Sequence, residues 1–203
     1  MKCFKYYNPA RIEFGIGKLD RLDDSVGNRK ALLITSKGFS RRGLIQKIQS
    51  LTDKIEVIID SINPNPTFKN LRTIYEFIWQ KKFDVIIALG GGSVIDGAKV
   101  ISVYNEAKDF NFIDSIIRKK NERKEYSRIP IIAIPTTSGT GSDVTCWATV
   151  WDSDEKKKYS LHLKDLWPEV SICDPQLTLS LDRDLTVQTA LDALSHCLES
   201  IWN

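Results

Sequence analysis

The sequence predicts an α/β fold, a parallel sheet with helices on both faces, followed by the start of an all-helical region. Three observations predict it. Short β-branched runs alternate with longer amphipathic ones across the first 134 residues. Two loops rich in glycine and hydroxyl side chains each follow one of those runs directly. From Thr186 the apolar spacing turns helical and stays so to Asn203.

The elements follow in order. Lys5–Tyr7 and Arg11–Phe14 read as opening strands and candidates for the edge of the sheet. Lys30–Thr35 (KALLIT) is a short buried strand, ended by Ser36-Lys37-Gly38. Ser40–Leu51 has helical spacing, with Leu44, Ile45, Ile48 and Leu51 on one face. Ile55–Asp60 is a second strand. Asn63-Pro64-Asn65-Pro66-Thr67 is a turn that can cap the next helix, Phe68–Lys81. Val85–Leu89 is a third strand, Ser93–Val103 a third helix and Ile129–Ile134 a fourth strand. Between Val144 and Ile172 the pattern breaks into short strand-like pieces, among them Ala148–Trp151 and Val170–Ile172. In the last stretch Leu191, Leu194, Leu198 and Ile201 keep helical spacing. These divide the chain into an α/β domain, 1–181, and the first part of a helical domain, 182–203.

Composition narrows the function classes. The 203 residues are 42% hydrophobic and 27% charged, as in a soluble globular protein. Net charge is only +3 and the basic residues are spread out, so no nucleic-acid partner is expected. The densest run, Arg118–Lys124, reads as a solvated loop or helix face. No apolar run approaches the ~18 residues of a membrane span, so no membrane partner is expected either. Cys3, Cys146, Cys173 and Cys197 lie far apart with no CxxC pair and read as reduced thiols of a cytoplasmic protein.

Three features carry chemistry. Gly90-Gly91-Gly92-Ser93 closes a strand and opens a helix. Bare backbone at a helix N-terminus offers N–H groups and the positive end of the dipole to a phosphate. The spacing is neither G-x-G-x-x-G nor G-x-x-x-x-G-K-[ST]. The second loop, Pro135–Asp143 (PTTSGTGSD), follows the fourth strand with five hydroxyls and two glycines. Hydroxyls and backbone N–H groups there can bind a diphosphate. The third is Asp192-Ala193-Leu194-Ser195-His196. Its carboxylate and imidazole at i, i+4 share one helix face. They read either as a surface pair or as half of a divalent metal site.

With these in place the chain resembles the iron-containing (group III) alcohol dehydrogenase family. GGGSVIDGAK matches its G-G-G-S-x-x-D-x-A-K loop, and PTTSGTGSDVT its P-T-T-x-G-T-G-S-E-V-T loop. SICDPQLTLSL matches its D-P-x-L-T segment, and DALSHCLES its D-A-x-x-H-x-x-E metal helix. Asp143 stands where the family has Glu; the charge is kept, and little change is expected. The resemblance implies a Rossmann-like parallel sheet domain, then an all-helical domain, with the active site between them. It implies that Gly91, Gly92, Ser93 and Asp96 line the diphosphate of a nicotinamide dinucleotide, with Thr136, Thr137 and Thr140 facing it. Thr149, Lys158, Leu177 and Thr178 would approach its nicotinamide or ribose parts, and Asn65 belongs to the family's P-N-P-T turn. Asp192 and His196 match the first two metal ligands, for Fe2+ first and Zn2+ as the alternative. Two further histidine ligands of the family lie beyond the stretch matched by this chain. No side chain is nominated as a catalytic proton donor or acceptor.

The resemblance further implies interconversion of an alcohol and an aldehyde, with NAD or NADP. Ser36 is counted among the cofactor-binding positions. The Thr35-Ser36-Lys37 segment holds no acid, and Lys37, Arg41 and Arg42 follow, which allows NADP. Cys146–Asp152 and Leu198–Asn203 look like the phosphonoacetaldehyde reductase branch. A generic medium-chain alcohol or aldehyde is the alternative substrate, and a catalytically incomplete dinucleotide-binding fragment the alternative role. A homodimer or larger homo-oligomer is expected.

Overall fold

A computed structural model describes residues 6–118 and 125–202. The elements in chain order are β1 (Arg11–Phe14), α1 (Leu22–Val26), β2 (Ala31–Ile34), α2 (Lys37–Arg41), α3 (Leu44–Leu51) and β3 (Ile55–Ile59). There follow α4 (Phe68–Ile78), β4 (Val85–Gly90), α5 (Gly92–Ser102), β5 (Val103–Tyr104), α6 (Phe110–Ile117), β6 (Ser127–Arg128) and β7 (Ile131–Pro135). The last are β8 (Trp147–Asp152), β9 (Lys157–His162), β10 (Val170–Cys173) and α7 (Arg183–Trp202).

Six strands form one sheet in the order β1-β10-β7-β4-β2-β3, and every neighbouring pair is parallel. This is the α/β architecture expected from the alternation of runs. Side chains alternate between the two faces, as a period of two requires. Leu32, Ile34, Ile86, Ala88, Ile131 and Ala133 face α4, α5 and α6. Ala31, Leu33, Val85, Ile87, Leu89, Ile132 and Ile134 face α1 and α3. Both faces are therefore dry, which is why β2 and β4 read as unbroken apolar runs. β8 and β9 form a separate antiparallel hairpin, packed against α5 through buried Ala148, Val150 and Leu161.

Several expectations are corrected. The single helix Ser40–Leu51 is two, α2 and α3, because Gly43 takes a left-handed φ of 74° between them. The helix expected from Thr186 begins at Arg183, where Asp182 Oδ1 accepts from Leu185 N at 2.7 Å. In the expected strand Lys5–Tyr7, Lys5 lies outside the described residues and Tyr6 and Tyr7 are not in a strand. β1 does form, and lies at the sheet edge. Of the basic run, Arg118 follows α6, and Lys119–Lys124 lie outside the described residues.

α7 carries no buried residue. Its Leu191, Leu194, Leu198 and Ile201 are all exposed. Among the described residues no helix is long and apolar enough to cross a membrane.

Candidate functional site

The two glycine loops start level with each other. Gly90, the last residue of β4, is the ladder partner of Pro135, the last of β7. Thr136 N donates to Gly90 O at 3.1 Å. The loops then run side by side. A Cβ on Gly91 would stand 2.9 Å from Thr137 Oγ1, and one on Gly92 would stand 2.8 Å from Thr140 Cγ2. The bare backbone thus first serves the approach of the threonine loop. It still leaves the N-terminal N–H groups of α5 at the carboxyl edge of the sheet, without intrahelical acceptors.

The threonine loop needs glycine twice. Gly141 has φ 59° and Gly139 φ 96°, both left-handed. A Cβ on Gly139 would also strike the backbone oxygen of Thr189 in α7. Gly139 O meets His196 Nδ1 at 3.0 Å, and Ser138 Oγ meets Thr189 Oγ1 at 3.4 Å. These contacts hold α7 across the loop. A carbonyl oxygen only accepts, so Nδ1 carries a proton, and in the neutral imidazole the lone pair sits on Nε2. Nε2 faces Asp192 Oδ1 at 3.9 Å.

Two cavities open here. The smaller, about 440 Å³, is lined by Asn65, Gly92, Ser93, Asp96, Thr140, Thr149, Lys158, Asp192 and His196, with Ser142, Thr145, Trp147 and Trp151. Residues assigned from four separate motifs meet in it. The larger, about 770 Å³, takes in Thr137, Thr140, Thr178 and His196 with Phe14, Cys173 and Cys197. Thr140, Thr145 and His196 line both. Four named positions line neither. Thr136 is fully buried, and its Oγ1 has no hydrogen-bond partner. Leu177 is buried in the core beneath β10. Gly91 packs under Thr137. Ser36 lies past β2, bridged to Ser61.

Asp96 is engaged on both oxygens. Ser142 Oγ donates to Oδ1, and Thr149 N donates to Oδ2 at 2.9 Å. It thereby ties α5 to the threonine loop and to β8. Burial raises its pKa, opposed by those two hydrogen bonds. One helical turn on, Lys99 is fully buried. Its Nζ donates to Trp147 O at 2.7 Å and reaches Ser142 Oγ and Thr145 Oγ1 at 3.4 Å. Burial pulls its pKa down to about 8, against the pull of Asp96. Sequence reasoning missed Lys99. Its signal was present: a charge at i+3 from Asp96 on a helix whose other residues from Val94 to Ile101 are almost all apolar or small. Asp143, standing for the family's Glu, accepts from Ser171 Oγ at 2.6 Å beside Cys173 Sγ at 3.7 Å.

Asp192 and His196 suit a divalent metal in donor type and tautomer, but they are two donors. Among the described residues no group of three or more His, Cys, Asp or Glu side chains could hold a metal ion. Cys146, Cys173 and Cys197 are free thiols.

A parallel sheet with two facing glycine loops at its carboxyl edge is an α/β protein of the kind that binds ligands beyond the strand ends. Comparison with known proteins makes that narrower. The sequence profile described as iron-containing alcohol dehydrogenase matches residues 9–175. The 4-hydroxybutyrate dehydrogenase of Cupriavidus necator is 33% identical over 202 residues, 98% of this chain and 53% of that protein. The NADPH-dependent butanol dehydrogenase of Clostridium saccharobutylicum is 31% identical over 195 residues, 95% of this chain and 50% of that protein. Among solved structures, the NADH-dependent butanol dehydrogenase A of Thermotoga maritima superposes with a TM-score of 0.87 at 29% identity, covering 98% of this chain and 51% of that one. The sulfoacetaldehyde reductase of Bifidobacterium kashiwanohense, solved with NAD+, gives 0.86 at 27% identity, covering 100% and 54%. The chain belongs to the iron-containing alcohol dehydrogenase family. It spans about half the length of these relatives.

Proposed function

We propose that this chain is the dinucleotide-binding part of a metal-dependent oxidoreductase that interconverts an alcohol and an aldehyde with NAD or NADP. Residues 1–181 form the α/β domain, and 182–203 begin a helical, metal-binding one. The observation that carries this is the meeting of Gly92 and Ser93 with Thr140, Thr149, Lys158, Asp192 and His196 around one cavity at the carboxyl edge of the sheet.

In this reading the N–H groups of Gly92 and Ser93 and the hydroxyls of Thr137 and Thr140 hold the diphosphate. Lys158 and Thr149 approach the ribose and nicotinamide. Asp96 acts by holding Ser142 and the backbone of Thr149 rather than by meeting an anion, since both its oxygens already accept hydrogen bonds. Thr136, Gly91 and Leu177 shape the edge from beneath. Ser36, with Lys37, Arg41 and Arg42 beyond it, belongs to the adenosine end, and the cationic set leaves room for a 2′-phosphate. Asp192 and Nε2 of His196 are two of the donors to Fe2+. When bound, the metal and the nicotinamide would supply Lewis acidity at the substrate oxygen and a hydride acceptor or donor.

For the substrate we propose a small aldehyde bearing an anionic group, with phosphonoacetaldehyde the first to test. Lys158 beside the cavity and the likeness to a sulfoacetaldehyde reductase support it. The likeness to butanol dehydrogenases supports an uncharged aldehyde instead. We also propose a cytoplasmic homodimer joined at the β1 edge, where Ile12, Phe14 and Ile16 are exposed.

Titration of the chain with NADH and NADPH, read by nicotinamide fluorescence, tests the central claim. Saturable binding that weakens in Gly92→Val is expected. A folded chain that binds neither dinucleotide overturns it.

A further inference from the structure

Arg118, at the C-terminal end of α6, gathers four separate elements. Nε bonds Asp114 Oδ1 of its own helix at 2.8 Å. Nη2 bonds Asp152 Oδ2 at the end of β8. Nη1 reaches Glu155 Oε1 in the hairpin turn at 2.8 Å and the Tyr159 hydroxyl of β9 at 3.2 Å. The guanidinium also lies 4.6 Å from the ring centroid of Phe68, the first residue of α4, and 4.9 Å from that of Tyr159. Those two rings meet edge to face at 5.7 Å. Its side chain is only 16% exposed, so these are not the loose ion pairs of an open surface. Hydrogen bonds to Asp114 and Asp152 raise its pKa, so the group is charged at any working pH.

Three of these elements carry or adjoin a residue of the smaller cavity. β8 brings Thr149 and Trp151, β9 brings Lys158, and the turn before α4 brings Asn65. Trp151 N donates to Pro66 O at 2.9 Å, which joins the hairpin to that turn a second time. Tyr159 and Lys158 are neighbours on one strand, so their side chains leave opposite faces. Fixing the Tyr159 ring under Arg118 therefore fixes which face Lys158 presents.

We propose that Arg118 is a positioning residue for the dinucleotide: it locks the β8–β9 hairpin so that Lys158 and Thr149 face the cavity beside Gly92 and Ser93. This rests on the dinucleotide reading above. Lysine does not replace it, because a single ammonium lacks the planar fork that reaches Asp114, Asp152 and Glu155 together.

The test measures dissociation constants for NADH and for ADP, with the melting temperature, in Arg118→Gln, Arg118→Lys, Lys158→Met and the double variant Arg118→Gln/Lys158→Met. ADP lacks the half that Lys158 and Thr149 approach. Arg118→Gln is expected to weaken NADH roughly tenfold, the worth of a charge-assisted contact, and to change ADP by less than about twofold. The double variant should lose less NADH affinity than the sum of the two single losses, because Arg118 acts in part through Lys158. Arg118→Lys should behave like Arg118→Gln. Should Arg118→Gln fail to fold, Tyr159→Phe and Glu155→Gln each remove one arm of the cluster, and each should weaken NADH but not ADP. Equal losses for NADH and ADP, fully additive losses, or unchanged NADH binding overturn the proposal. Wild-type chain that binds neither ligand overturns the dinucleotide reading itself, an outcome visible before any variant is made.

Discussion

Gly92 and Thr140 lie so close that no side chain fits between them. A Cβ on Gly92 would stand 2.8 Å from Thr140 Cγ2 and 3.0 Å from its Cβ. Thr140 is branched at that carbon and cannot swing aside. Gly92→Ala should therefore force the two loops apart, costing about 1–3 kcal/mol of stability and weakening dinucleotide binding. Adding Thr140→Ser removes the nearest methyl and should restore part of both. Urea unfolding and NADH titration of the single and double variants check this. Equal behaviour of the two would show that the contact does not matter.

Gly139 and Gly141 are both left-handed, yet they should respond differently to alanine. A Cβ on Gly141 meets nothing within 4 Å, so Gly141→Ala carries only backbone strain, about 1 kcal/mol. Gly139→Ala adds a collision with Thr189 in α7. It should detach the last helix while leaving the sheet intact. Limited proteolysis should then cut within 183–202 far faster in Gly139→Ala than in Gly141→Ala.

Lys99 should leave a mark on the pH dependence of stability. Its pKa is about 8 when folded, against 10.5 free. Below pH 8 the group is protonated in both states, and the folded state bears the full cost of the buried charge. Between 8 and 10.5 the folded lysine sheds its proton while the unfolded one keeps it, so its contribution rises with pH. The whole swing is on the order of 3 kcal/mol. Unfolding free energies of wild type and Lys99→Met at pH 7.5 and pH 10 should differ by an amount that moves in favour of wild type at the higher pH. A constant difference would mean that the lysine titrates normally.

Asp96 accepts from Ser142 and from the backbone of Thr149. Asp96→Ala strands that N–H and should cost about 1–3 kcal/mol. Ser142→Ala unpairs the other carboxylate oxygen of Asp96 and one partner of Lys99, but leaves the Thr149 bond in place. The loss should also appear as faster hydrogen exchange at the Thr149 amide in Asp96→Ala, and not in Ser142→Ala.

Much of this fold could be read from one dimension. Val85–Leu89 and Ile131–Ile134 are continuous apolar runs because both faces of their sheet are covered, and their ends fell within one or two residues of the expectation. Ser40–Leu51 misled because helical spacing persists through Gly43, where only the backbone angle breaks the helix. The glycine loops and the Asp192–His196 pair were legible as motifs. The reason for the glycines was not, since Thr137 and Thr140 come from a loop about 45 residues later and meet them only through the ladder between β4 and β7. Arg118 was hidden for the same reason. Its partners Asp152, Glu155 and Tyr159 follow 34 to 41 residues on, and in the sequence it opens a run of ordinary surface charges.

The pairing of Gly90 with Pro135 has a last consequence. The mouth of the cavity is hinged on a rung of the sheet rather than on either loop. Lengthening the threonine segment beyond Gly141 would enlarge the opening but leave both lips at the same height. Deleting a single residue inside Val85–Leu89 would do the reverse, tilting one lip against the other and turning inward side chains outward along the whole strand. Variation in such a protein should therefore collect in the lips and spare the rung.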